Sequence, residues 1–277
     1  MKHIKNNPFI SLLLAFTLLS MQTVAQKSVE LAYKLKKDQV FTITMETSQT
    51  IHMEMMGQEM TINQDIKLFQ KAEVLKVDAD GNYTLSFSFR RIILDQDAMG
   101  MQVRFDSDNM EGADNPMAQQ MAATMGQVID KSVISTIDRF GNSLSTNVDE
   151  VLPNGAISGA ETGMMAIFPG RSVKPGDSWE VEIKMDMQSD MTFINTFTLD
   201  EIKNQKAYIS FEGKVSGSQV EGKTAEVDGS TTGQLIADIE TGWTQSATIR
   251  QDMVMEVEEN GHSMPMRMSS LIEMRSE

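Results

Sequence analysis

The chain has 277 residues, with 39 Asp and Glu against 24 Lys and Arg, a formal charge of −15, and no cysteine. Nucleic acid and anionic lipid headgroups are bound through clustered Lys and Arg, so so acidic a chain with no basic stripe is expected to bind neither. Without cysteine there is no disulfide, no thiolate metal site and no cysteine to carry a lipid anchor.

Residues 1–25, MKHIKNNPFISLLLAFTLLSMQTVA, read as a secretory signal peptide. Lys2 and Lys5 give the positive n-region, residues 9–19 the apolar h-region, and Thr23-Val24-Ala25 the small residues before a cut at Gln26. The apolar run is shorter than the roughly 18 residues a spanning helix needs, and nothing later approaches that length. A retained membrane anchor is the alternative. Cleavage removes two lysines and no acids, which takes the charge to −17. A protein without a membrane span, periplasmic or extracellular, is the expectation. About 250 remaining residues suffice for one large β domain or two small ones.

Past the leader, apolar and polar residues alternate with period two in VFTITM (40–45), YTLSFSF (83–89), WEVEIKM (179–185) and AYISF (207–211). Alternation of this kind turns one face of a strand to the core and the other to water. Asp80-Gly81, Phe140-Gly141-Asn142, Thr241-Gly242 and Asn260-Gly261 supply hairpin turns. The expected fold is therefore mainly β, an antiparallel curled sheet or half-barrel with one amphipathic helix packed on it. That helix starts at Asn115 as cap and Pro116 in the first turn. Met117, Met121, Met125, Val128 and Ile129 then fall on one face. A further helical turn is expected at 161–168, before Pro169.

The chain also resembles itself. LKKDQVFTITME from Leu35 aligns with VKPGDSWEVEIK from Val173, and VDADGNY from Val77 with IKNQKAY from Ile202, at an offset thirteen residues smaller. A duplicated β unit accounts for this, with a longer hairpin in the first copy; chance similarity between alternating strands is the rival. The expected divisions are 1–25 signal peptide, 26–112 first β unit, 113–131 helix and 132–277 second β unit, the two units able to share one domain.

Methionine is the compositional anomaly: 24 residues, against 2 Trp and 3 Tyr. An Asn260-Gly261 turn would pair Glu259 with His262, Val257 with Met264, Met255 with Met266 and Met253 with Met268, all five methionines on one face. A Gly57-Gln58 turn would pair Met55 with Met60 and Met53 with Ile62, and would put His52 opposite Asn63 on the polar face. Three readings fit: packed core, a thioether Cu(I) site, and the lining of a cavity for an apolar ligand. The histidines stand away from the sulfurs, which argues against copper. Met53, Met55, Met60, Met117, Met121, Met125, Met253, Met255, Met264, Met266 and Met268 are the candidate ligand-binding residues.

Catalytic constellations are missing from the sequence. Beyond the leader there are only His52 and His262, no Gly-x-Ser-x-Gly elbow, no His-Glu-x-x-His, no P-loop and no dinucleotide fingerprint, so no enzyme, cofactor or metal is expected. DADGN (78–82) begins like a calcium loop but lacks its later glutamate and reads as a hairpin turn. Asp106, Asp108, Glu111 and Asp114 form an acidic loop, solvated or calcium-binding.

The leader, LAYKLKKDQVFTITM, the Met-rich hairpin and FPGRSVKPGDSWEVE (168–182) together resemble a family of exported, functionally uncharacterised proteins of Bacteroidota. Pro-Gly-Asp-Ser-Trp at 175–179 is the most specific element. The resemblance brings no activity and no site residues. A looser, fold-level likeness is to the periplasmic lipoprotein carriers, which hold acyl chains, and it implies a greasy ligand. The resulting expectation is a non-enzymatic envelope protein that binds a hydrophobic molecule such as a lipid in a Met-lined interior. A structural or adaptor protein in an envelope complex is the alternative, and Cu(I) binding the third.

Overall fold

The computed structural model describes residues 28–55, 58–98, 100–109, 119, 123, 125–151, 165–185, 190–220, 223–259 and 262–277. The expected signal peptide, Met117, Met121, Glu111 and Asp114 lie outside them. In chain order the strands are β1 (Val29–Glu30), β2 (Val40–Met55), β3 (Gln58–Val77), β4 (Tyr83–Ala98), β5 (Met101–Asp106), β6 (Ser132–Ile137) and β7 (Ser143–Thr146). They continue as β8 (Ser172–Val173), β9 (Ser178–Met185), β10 (Met191–Lys203), β11 (Lys206–Val220), β12 (Lys223–Asp238), β13 (Thr244–Glu259) and β14 (His262–Ser276).

Twelve of these strands form one antiparallel sheet in the order β7-β6-β4-β3-β2-β14-β13-β12-β11-β10-β9, with β5 beside β4. Strand makes up 73% of the described residues and the sheet is not closed into a barrel, as the alternating pattern led one to expect. The last strand joins the two halves: β14 pairs with β2, Met266 opposite Met53 and Met274 opposite Met45.

The two flanks of the sheet are drawn together at its base by a plug of irregular chain. Phe168 N donates to Phe140 O in the β6–β7 turn (2.8 Å), while the Trp179 indole N–H of β9 donates to Ile167 O (2.9 Å). Those two partners sit at opposite ends of the sheet path, so the sheet must curl to reach both. Residue Tyr33 is the centre of the plug. It is 2% exposed, its hydroxyl donates to Ala166 O (3.0 Å), and its own carbonyl accepts from the Tyr83 hydroxyl (2.8 Å). Phe41 stacks on Trp243 with ring centroids 3.8 Å apart, and Trp243 Nε1 donates to Ser276 Oγ. The helical turn expected at 161–168 is absent over 165–168. There the carbonyls of Ala166 and Ile167 and the N–H of Phe168 are committed to tertiary partners instead of a local ladder.

The expected helix at 113–131 falls mostly outside the described residues. Gln119, Ala123 and Met125 have helical backbone and lead into a 3-10 turn at Gly126–Val128. Val128 is buried, and Met125 and Ile129 pack with it against the cluster of Phe89, Ile92, Leu94 and Phe105, Val128 from the 3-10 turn and Ile129 from extended backbone rather than from the expected helix.

The two self-similar segments make the same turn. Gln39 N donates to Lys36 O and Asp177 N to Lys174 O; the Gln39 side chain accepts from Lys36 N and the Asp177 side chain from Lys174 N. Asp38 N donates to Val74 O and Gly176 N to Leu199 O, and both third strands bulge directly afterwards. Asp38 (φ 66°) and Gly176 (φ 93°) share the left-handed conformation that the turn requires. The correspondence slips by one residue beyond Ile202. The Asn204-Gln205 turn is shorter than the one at 78–82, so Tyr83 opposes Val77 and faces the core, whereas Ala207 opposes Ile202.

Candidate functional site: the uncharged inner face

Registers between neighbouring strands define transverse rows on the inner face of the sheet. Near the tips, one row runs Met60, Met53, Met266, Met255, Val227, Gly217, Met191 across β3, β2, β14, β13, β12, β11 and β10. The row below it reads Ile62, Ile51, Met268, Met253, Gly229, Val215, Phe193. Adjacent strands lie about 4.8 Å apart, so these thioethers form a continuous soft surface. Met253 and Met255 are buried within a cluster with Val215, Val227 and Val257. Met53, Met60, Met264, Met266 and Met268 are half-buried.

The expected register of the C-terminal hairpin is the observed one, from Glu259 opposite His262 to Met253 opposite Met268. The other Met-rich hairpin is shifted by two residues from the expectation. Met55 opposes Gln58, Met53 opposes Met60 and His52 opposes Thr61. The shift keeps the methionines on the same face, since side chains alternate with period two, but it changes their partners. Its physical reason is polar pairing: Gln49 bonds Gln64, Ser48 Oγ donates to Asp65 (2.6 Å) and Thr50 Oγ1 donates to Asn63 (3.0 Å). In the expected register Gln49 would face Ile66 and Gln64 would face Ile51, each amide buried against hydrocarbon.

Glycine shapes the same face. A Cβ on Gly229 would sit 2.8 Å from Met253 Cγ, one on Gly217 3.0 Å from Met191 Cγ, and one on Gly233 2.6 Å from Phe211 Cζ. Each glycine lets a long side chain of the next strand lie flat across the sheet. These glycines were not singled out from the sequence, although Gly at alternate positions of β11 and β12 is the visible signal.

A feature the alternation hid lies under the methionines. Gln96, Gln64, Gln49, Ser270, Gln251 and Thr231 form one transverse row, continued by Gly213 and Asn195. Each occupies an inward position of an otherwise apolar strand face. Ser270, Thr231 and Asn195 are buried. Ser270 Oγ and Asn195 Oδ1 have no hydrogen-bond partner among the described residues. The readable signal was a polar residue in the apolar phase of each long strand, and only the registers align them.

From the plug to the Met264 level the inward positions of β2, β3, β12, β13 and β14 hold no Asp, Glu, Lys, Arg or His. Charge is confined to the outward positions, where Lys67 pairs with Glu46 (2.5 Å) and Glu256 accepts from Ser263 (2.5 Å). His52 points outward to Thr61 Oγ1 (3.0 Å), away from the sulfurs. Among the described residues no cluster of three or more His, Asp or Glu could hold a metal ion. Two of the carboxylates weighed for calcium, Asp78 and Asp106, are engaged locally. Asp78 accepts from Asp80 N (2.9 Å), Asn82 N (2.8 Å) and Asn82 Nδ2 (2.9 Å), which holds its carboxyl below the usual range. Asp138 repeats this turn with Phe140 and Asn142. Asp106 takes both arms of Arg91 (3.0 and 2.7 Å), and that guanidinium likewise lowers its pKa. No helix among the described residues is long and apolar enough to cross a membrane.

A protein-family model described as a family of unknown function (DUF6263) matches residues 142–244. No curated protein matches the chain. Among solved structures, one titled for lipid–protein interactions in lipovitellin is similar with TM-score 0.55 at 7% identity, over 88% of this chain and 25% of that one. The chain thus spans a quarter of the length of lipovitellin. An outer membrane channel from Pseudomonas putida F1 gives TM-score 0.27 at 6% identity, over 88% of this chain and 97% of that one. At such identities the likeness to lipovitellin concerns the fold alone.

Proposed function

We propose that this chain is an exported, non-catalytic protein of the bacterial envelope that holds a hydrophobic ligand such as a lipid against its methionine-lined inner face. The observation that carries this reading is the face itself: long strands whose inward positions are uncharged, with adjacent rows of half-buried thioethers. Half-buried apolar surface of this extent is costly to leave wet, and thioethers adapt to varied apolar shapes. The fold likeness to lipovitellin, a protein whose structure is titled for its lipid interactions, agrees with it. So does the signal sequence at 1–25, which would place the protein where envelope lipids are handled.

The test is extraction of protein purified from its own host. Native mass spectrometry should show adducts of lipid mass that organic solvent removes. Protein that is empty when isolated and takes up no lipid from vesicles would contradict the reading, and would favour an adaptor that presents its acidic outer face to an envelope partner.

A further inference from the structure

Resting on the ligand-holding reading, we propose that the polar row across the inner face selects the ligand: a neutral amphiphile bearing a hydroxyl, ester or amide, in preference to a pure hydrocarbon or a lipid with a charged headgroup. Three observations carry this. First, Gln64, Gln49, Ser270, Gln251, Thr231 and Asn195 lie at one level on six strands, between the packed base and the methionines. A face meant only for packing would gain nothing from polar side chains at a single height on strand after strand.

Second, the row is under-satisfied. Ser270 is 8% and Asn195 7% exposed, and neither Ser270 Oγ nor Asn195 Oδ1 has a partner among the described residues. Native folds pair nearly all buried polar groups, so such atoms call for a partner from outside the described chain. A serine hydroxyl serves a donor or an acceptor, whereas an amide oxygen needs a donor, which a ligand hydroxyl or amide N–H supplies and a hydrocarbon does not. Third, among the described residues no ionisable side chain occupies an inward position beside the row on β2, β3, β12, β13 or β14, so a phosphate or carboxylate held there would lose its hydration without compensation from them. The two unpartnered atoms sit four strands apart, about 19 Å along the row, so hydrogen-bonding groups are offered along a line and the polar junction of a ligand can settle at more than one place.

The probes are monooleoylglycerol, octadecene and oleoyl lysophosphatidylglycerol, matched in chain length, competing for a fluorescent apolar dye on the delipidated full chain. Wild type should bind monooleoylglycerol most tightly. Ser270→Ala combined with Gln251→Leu should weaken monooleoylglycerol by at least about fivefold, roughly one neutral hydrogen bond, and leave octadecene unchanged. Gln49→Leu with Gln64→Leu replaces a bonded pair by an apolar pair of similar size, leaves Ser48–Asp65 and Thr50–Asn63 to hold the β2–β3 register, and, in protein whose Met53→Cys/Met60→Cys crosslink confirms that register, should act in the same direction. If monooleoylglycerol binds the row variants as well as wild type, or if the charged lipid binds as tightly as the neutral one, the polar row does not select and this proposal is wrong while ligand holding stands. Failure of all three probes to bind wild type would remove the ligand-holding reading and the proposal together.

Discussion

Tyr33 shows how single side chains hold the curled base. Burial pushes its hydroxyl pKa far up, so it stays a neutral donor at any physiological pH and the bond to Ala166 O persists. Tyr33→Phe keeps the ring against Phe168 and leaves that carbonyl unpaired, which should cost about 1–3 kcal/mol in urea unfolding. Gly213 is constrained in another way: a Cβ there would collide with Asn195 Oδ1 and stand 2.5 Å from Ile194 O. Gly213→Ala is therefore expected to destabilise by about 1–3 kcal/mol, read as a lowered melting temperature. The Arg91–Asp106 pair has a pH signature. The Asp106 carboxyl is depressed below its unfolded value of about 3.9, so its contribution is complete above that pH and is lost as pH falls through the lower folded value. Arg91 is 38% exposed, so solvent screening keeps the contribution small. Asp106→Asn should accordingly differ from wild type at pH 7 and converge on it as the pH falls through the depressed folded value.

At the scale of elements, hairpins were the most legible feature. Asn260-Gly261 in the sequence leads one to expect a two-residue connection that fixes register, and the observed β13–β14 pairing, from Glu259 opposite His262, is the expected one. The β2–β3 hairpin was legible in its faces but not in its partners. Gly57 offered a turn one way, and the amide pair Gln49–Gln64 with Ser48–Asp65 decided it the other way, through contacts that turn chemistry does not see. The chain has no native cysteine to interfere with a direct check. Met53→Cys with Met60→Cys should crosslink under mild oxidation, because these residues are directly opposed. Met53→Cys with Ile62→Cys, a diagonal pair, should not. A crosslink in the second and none in the first would restore the register expected from Gly57. The matching turns after Leu35 and Val173 were visible as sequence similarity, and their shared hydrogen bonds give that similarity a physical basis. The one-residue slip at Tyr208 was invisible, since alternation is unchanged in appearance when a turn shortens.

Over the whole molecule, sequence periodicity carried the architecture and the common face of the methionines, while the path of the sheet was beyond it. Nothing local says that the last strand closes against the first long one, or that Phe140 and Trp179 meet one plug from opposite flanks. The polar row belongs to this scale for the same reason, being a product of six registers at once. From the plug to the Met264 level of β2, β3, β12, β13 and β14 the described acids and bases point outward and the described methionines inward. On that division rests the claim that the inner face is kept for an apolar guest. Peroxide footprinting, with methionine sulfoxide located by mass spectrometry, reads it residue by residue. In delipidated protein the half-buried Met53, Met60, Met266 and Met268 should oxidise readily, and loading with lipid should slow all four together while leaving Met101, which is 60% exposed, unchanged. Equal oxidation of the four in loaded and empty protein would mean that lipid does not sit on this face, and would contradict the claim.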